Sequence, residues 1–259
     1  MNKKEQQAQR AKQEDVVLNK VLWWIVGAVV LEALLLLLNR FYSNYVADAA
    51  QINLALALRD VVDVLAIVFP ICFMLLLIWA VMARKSGKGT RLPATLASIM
   101  LALTVCAVII SRFDDSGIRL LYVMVPAVAV LALIYYLYQR EFFLAAVLSA
   151  LGLLAVRVVP HRIGSPFVAN GYAIVLGVLL VGAVVVFRVM QTAGGQLKLG
   201  GKWVQVLPKN ANYALLYVTC IVVAGVLLAT LLVGGMTLLY GVLVAWLLIL
   251  AVYYTVRLM

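Results

Sequence analysis

Residues 213–256 read YALLYVTCIVVAGVLLATLLVGGMTLLYGVLVAWLLILAVYYTV, without one charged side chain. Gly234 and Gly235 divide the stretch into two apolar runs, 213–233 and 236–256. Each run is close to the ~20 residues that a helix rising 1.5 Å per residue needs to cross a bilayer core. Barrel strands are shorter and alternate, so runs of this kind satisfy their backbone groups in lipid only as helices.

The same pattern recurs upstream at 21–38, 62–83, 93–111, 118–138, 142–159 and 170–189. The expected fold is all-α: a polytopic integral membrane protein with a bundle of about eight transmembrane helices. Eight such spans fill most of the 259 residues. The expected organisation is a basic segment, 1–20, followed by a single transmembrane domain, 21–259. Composition agrees. Apolar residues make up 66% of the chain and charged residues 12%, against ~45–50% and ~25% in soluble domains. This balance excludes a soluble enzyme domain, a disordered chain and a disulfide scaffold. The first span is longer than a signal-peptide core, and Ala47-Asp48-Ala49 lies well past its end, so it reads as a retained anchor.

The net charge of +11 is read as topology before any nucleic-acid partner is considered, because Lys and Arg collect on the cytoplasmic side. With the N-terminus inside, fifteen of the 21 Lys and Arg fall on inner segments. The six outer ones are Arg40, Arg59, Arg112, Arg119, Arg157 and Arg162, with no lysine among them. Both termini are therefore expected in the cytoplasm, as an even number of spans requires. Short loops point to a prokaryotic plasma membrane. Trp23 and Trp24, Tyr135, Tyr136 and Tyr138, Phe142 and Phe143, Tyr213 and Tyr217, and Tyr253 and Tyr254 flank the spans as an aromatic belt would. Trp246 is the exception at mid-span and is assigned to packing between helices.

Two connections stand out. Segment 41–61 either lies on the outer surface or extends the second span. The inner loop 190–212 contains Gln196-Leu197-Lys198-Leu199, Gly200-Gly201 and Lys202-Trp203-Val204-Gln205. Two glycines between short strand-like runs predict a small hairpin. Small residues four apart mark expected helix contacts: Ser98, Ala102 and Cys106; Ala145 and Ser149; Ala173 and Gly177; Gly225 and Ala229; Gly241 and Ala245. Pro70 and Pro126 fall inside spans and are expected to kink them.

Four residues are the candidate functional polar groups. Glu32 lies near the middle of the first span, where a carboxylate costs roughly 2.5–3.5 kcal/mol on insertion scales. It must face the bundle interior, meet a partner or hold a proton. Arg157, near the end of the fifth span, differs from it in depth by about 7 Å at 1.5 Å per residue and is its best partner by sequence. Snorkelling of Arg157 to headgroups is the competing reading. Asp63 opens the second span four residues after Arg59, a spacing that pairs them on one helix face. His161, the only histidine, sits beside Pro160 at an outer end.

No catalytic motif accompanies these residues. The patterns H-E-x-x-H and G-x-S-x-G are absent. Cys72, Cys106 and Cys220 lie inside apolar runs, without metal-ligand spacing. No catalytic group, cofactor or metal is expected. The expected partners are the lipid bilayer and a protein subunit or second copy, with no nucleic acid. Two function classes follow. The first is a scaffold, accessory or regulatory membrane subunit, favoured by sparse polar residues in the spans and basic inner segments. The second is a small-solute or ion transporter or channel, with Glu32 as an intramembrane proton or cation site.

Overall fold

The computed structural model describes residues 3–42, 49–85, 91–161, 166–199, 202–208, 211–234 and 237–258. Its elements in chain order are α1 (Lys3–Tyr42), α2 (Ala49–Lys85), α3 (Arg91–Leu137), α4 (Arg140–His161), α5 (Pro166–Thr192), β1 (Gln196–Leu199), β2 (Lys202–Gln205), α6 (Tyr213–Val233) and α7 (Thr237–Leu258). Among the described residues, seven helices are long and apolar enough to cross a membrane. Among the described residues the elements are all helices apart from one two-stranded hairpin.

The last four helices begin and end within a few residues of the apolar runs that predict them. Two connections differ. From Ala49 the segment 41–61 belongs to α2, so it extends the second span. The polar residues from Lys3 continue as helix into α1.

Helix α3 holds both the third and the fourth expected spans. Its 47 residues would make a straight rod of about 70 Å, more than twice the ~30 Å hydrocarbon core. It is not straight. Asp114 has φ 46° and ψ −128° inside it, close to the first central residue of a type II′ turn. A Cβ built on Gly117 would lie 2.5 Å from the Ile109 carbonyl oxygen. Residues eight apart in one straight helix are separated by about 12 Å, so the chain doubles back between them. Gly117 has no side chain to obstruct that approach.

The chain divides into two compact units, Gly27–Pro126 on the one hand, and Met1–Val26 with Ala127–Met259 on the other. In the larger unit α4 touches α5, α6 and α7. Its sequence explains this central position. Ala145, Ala146, Ser149 and Ala155 are almost fully buried, and a Cβ on Gly152 would stand 3.0 Å from Val223 and 3.3 Å from Leu243. Small side chains let the neighbouring backbones approach, which is how helices gain contact without a solvent to drive them together. On α6 the buried positions 213, 216, 220, 223, 227 and 230 alternate by three and four, the spacing of a packed helical seam. Trp246 donates from Nε1 to Thr219 Oγ1 at 3.1 Å, so it does pack between helices, α7 on α6. Thr219 and Thr230 return their hydroxyls to carbonyls one turn back, Leu215 and Val226, at 2.7 Å each, which removes the cost of a bare hydroxyl in lipid.

In the smaller unit the packed residues are Leu35 and Tyr42 of α1, Val62 of α2, and Cys106, Ile110, Ile118, Leu121 and Val125 of α3. Outside these cores the helices present large apolar side chains. The most apolar stretch of α2 buries no residue, and Phe167 and Leu232 are 86% and 84% exposed. In water such a surface would aggregate; in a bilayer it is the lipid face.

The expected small-residue contacts divide in two. Ala145 and Ser149 are buried, whereas Gly177, Gly225 and Gly241 face nothing within 4 Å of a built Cβ. Pro70 and Pro126 lie inside α2 and α3, and one of the two chain boundaries between the units falls after Pro126, the other after Val26.

Candidate functional site

The most deeply buried charge among the described residues is Glu141, a residue the sequence reading passed over. It stands in the first turn of α4 and has no exposed surface. Its Oε2 accepts three hydrogen bonds: from the backbone N–H of Asn212 at 3.0 Å, from the Tyr254 hydroxyl at 3.2 Å and from Arg257 Nη1 at 3.2 Å. Asn212 immediately precedes α6, and Arg257 lies in the last turn of α7. The carboxylate thus sits at the positive ends of two helix dipoles, and the guanidinium at the negative end of a third. Phe142 stacks on the Tyr254 ring at 5.4 Å and closes the junction from the apolar side. Oε1 of Glu141 and the buried Tyr213 hydroxyl have no hydrogen-bond partner.

A signal for this junction was present in the sequence. Glu141 is the only Asp or Glu after Asp115, among nine Lys and Arg. A lone acid in a basic half-chain, placed in a first helical turn, invites an internal partner. Which cation answers it depends on the fold.

The hairpin lies beside this junction. β1 and β2 pair antiparallel, Leu197 with Val204 and Leu199 with Lys202. Its base is tied down. Arg140 Nη1 donates to the Gln205 and Val206 carbonyls at 3.2 and 3.3 Å, and Val206 and Leu207 donate their N–H groups to the Gly195 carbonyl at 3.0 and 3.1 Å. Gly195 takes φ +84° and a Cβ there would collide with the Leu207 carbonyl oxygen, so only glycine serves at this position.

The four sequence candidates fall into both units. Glu32 is half-buried on α1, and its Oε2 is buried without a hydrogen-bond partner. The nearby Tyr122 feels its charge and donates to the Leu35 carbonyl at 3.1 Å. Arg157, in the other unit, hydrogen-bonds Tyr240 of α7. Asp63 is exposed and its Oδ1 accepts from Ser111 Oγ at 2.6 Å. His161 ends α4, and its side chain lies outside the described residues.

Asp63 belongs to a network that sequence alone did not assemble. Tyr42, only 2% exposed, donates to Asp114 Oδ1 at 2.8 Å. The Arg59 guanidinium lies 5.1 Å from the Tyr42 ring centre, within range of a cation–π contact. These residues fasten the last residue of α1 and the middle of α2 to the part of α3 around its turn. No group of three or more His, Cys, Asp or Glu able to hold a metal occurs among the described residues.

The two polar centres differ in chemistry. Glu141 is answered by a cation and works as an ionic tie between helix ends. Glu32 retains a free acceptor oxygen beside a tyrosine, an arrangement able to hold a proton or a cation. Comparison with protein-family models, curated proteins and solved structures finds no match to this chain.

Proposed function

We propose that this protein is a membrane-embedded scaffold or accessory subunit that presents a rigid, basic platform to a partner. The observation that carries this reading is the Glu141 junction, where one carboxylate ties α4, α6 and α7 together beside the hairpin. Such a tie makes a fixed surface. The reading places both termini in the cytoplasm of a prokaryotic plasma membrane, after eight crossings. The return of the chain at Asp114 supports counting α3 as two of them, and the bias of fifteen of 21 basic residues supports the orientation. The test is the composition of the particle extracted into native-lipid discs from its own cell. A second protein in stoichiometric amount is the expected result. A lone chain or a homo-oligomer would remove the accessory-subunit reading.

A second reading, a small-solute or ion transporter, is favoured by Glu32. Its Oε2 is buried without a partner at a depth where ionisable groups mark ion and proton pathways. On this reading Glu32→Gln keeps expression and abolishes a proton- or cation-coupled flux. Unchanged flux in that variant would remove it. Arg157, Asp63 and His161 remain candidates for the same pathway.

A further inference from the structure

We infer that Glu32 takes up and releases a proton from the end of the smaller unit where α3 turns, along a file of polar groups on one face of α1. This rests on the transporter reading of Glu32 and adds to it the ion and its route. Glu32, Leu35, Asn39 and Tyr42 follow one another at steps of three, four and three residues, the spacing of a single helix face. Leu35 contributes its carbonyl to the file. The Tyr122 hydroxyl of α3 donates to that carbonyl at 3.1 Å, feels the Glu32 charge and hydrogen-bonds the Asn39 side chain. Tyr42 donates to Asp114 Oδ1 at 2.8 Å. Arg59, Asp63 and Asp114 are exposed charges at that end of the unit, so it is the end that water reaches. Glu32 stands ten residues before Tyr42, about 15 Å along the axis at 1.5 Å per residue. The file offers a polar group at each turn between them.

The surroundings of Glu32 suit a proton better than a metal. Calcium or magnesium gathers about six oxygen ligands. Glu32 offers one buried acceptor without a partner, Oε2, beside a hydroxyl whose hydrogen already goes to a carbonyl. A proton needs one oxygen, and it removes the charge that is costly in lipid. The other titratable groups of the elements packed on α1 here are few. On α2, Cys72 is the only one between Asp63 and Arg84; on α3, Cys106 is the only one between Arg91 and Arg112, and Tyr122 the only one from Leu120 to Pro126. Thiols and phenols of this kind keep their protons at neutral pH, so the exchanging group is Glu32. In the step, Tyr122 passes its hydroxyl hydrogen to Oε2 and receives one from water on the Asn39 side. One O–H bond breaks and one forms at the phenol, the carboxylate becomes a carboxyl, and release runs the same steps backwards.

The test is infrared difference spectroscopy on the full chain in phosphatidylcholine discs, with the buffer stepped from high to low pH and exchanged from water to heavy water. The parent is expected to show a carboxyl C=O band that appears on acidification, and Glu32→Gln to lack it. Tyr122→Phe is expected to keep the band and slow its deuterium shift by on the order of a hundred-fold, the low end of what a positioned proton-transferring side chain contributes. Asn39→Leu, which puts an apolar side chain in the file, is expected to slow the shift as well. No such band in the parent, or a band that survives Glu32→Gln, overturns the proposal. So does a deuterium shift that neither Tyr122→Phe nor Asn39→Leu slows, because the proton then arrives by another route. If Glu32→Gln does not fold, Glu32→Asp takes its place and is expected to move the band. The transporter reading fails separately. A titrating band reached along the file, with flux unchanged in Glu32→Gln, removes transport and keeps the proton site; flux lost in that variant without any band in the parent keeps transport and overturns the proton.

Discussion

Arg257, in the last turn of α7, reaches back to Glu141, in the first turn of α4, and donates to its Oε2 at 3.2 Å. The two residues are 116 positions apart, yet their charges suit the helix ends they occupy. The carboxylate has no exposed surface, while the guanidinium keeps 28% of its side chain exposed.

Glu141→Gln leaves acceptor capacity but removes the charge that Arg257 meets. Breaking a fully buried pair costs about 3–5 kcal/mol. Here the freed guanidinium can turn toward solvent, so a loss of about 2–3 kcal/mol is expected. It would be read as a lower thermal midpoint in discs. Adding Arg257→Gln should cost less than its separate effect, because the orphaned charge goes too. Strict additivity would show that the pair is not coupled.

Glycines on the packed helices are predicted to behave in opposite ways. Gly152→Leu forces side-chain atoms against Val223 and Leu243 and should destabilise the larger unit by about 1–3 kcal/mol or more. Gly225→Ala enters open space and gains helix propensity, up to about 1 kcal/mol. Thermal midpoints of the two variants, moving in opposite directions, are the expected result. A neutral Gly152→Leu would contradict the close approach of α4 to α6 and α7.

The turn in α3 makes its own prediction. Asp114 has a positive φ that costs a residue with a side chain on the order of 1–3 kcal/mol. It also accepts the Tyr42 hydrogen bond, worth about 1 kcal/mol. Asp114→Ala loses the bond and keeps the strain, while Asp114→Gly loses the bond and relieves the strain. The glycine variant should therefore be the more stable of the two. Equal midpoints would mean that the chain does not reverse through this conformation.

Topology follows from the same turn. If α3 contributes two crossings, reporters fused at the N-terminus and after Met259 register on the same side, the cytoplasm. A cysteine at Ser116 reacts from the opposite side. Reporters on opposite faces would reduce α3 to one crossing.

Much of the fold is legible in the sequence. The runs at 213–233 and 236–256 emerge as α6 and α7 almost to the residue, because a charge-free run of membrane length leaves the backbone one way to satisfy itself. The hairpin strands were legible from two glycines between short alternating runs. Segment 41–61 was not, since its apolar residues suit either a surface stretch or a longer helix. The small-residue pairs were legible only as a class. Ala145 and Ser149 are buried, and Gly241 is not in contact, because spacing names a face without naming its neighbour.

The polar sites show the same division. Glu32 announces itself as a carboxylate inside an apolar run. Glu141 does not, because it sits beside Arg140 at the edge of its run and resembles a turn residue. Asp63, Ser111, Tyr42 and Asp114 are separated by up to 72 positions, and no local pattern links them.

The sequence by itself determined that this chain is helical, with runs long and apolar enough to cross a membrane, and roughly where each helix lies. These properties depend on hydropathy and backbone hydrogen bonding, which act along the chain over twenty residues at a time. Tertiary structure alone decided that Glu141 meets Arg257, that Tyr42 meets Asp114, and that Gly152 rather than Gly225 marks a helix contact. Those pairings depend on which faces of distant helices meet, and in lipid that is set by side-chain shape and polar complementarity, with no solvent-driven preference to write it into the local pattern.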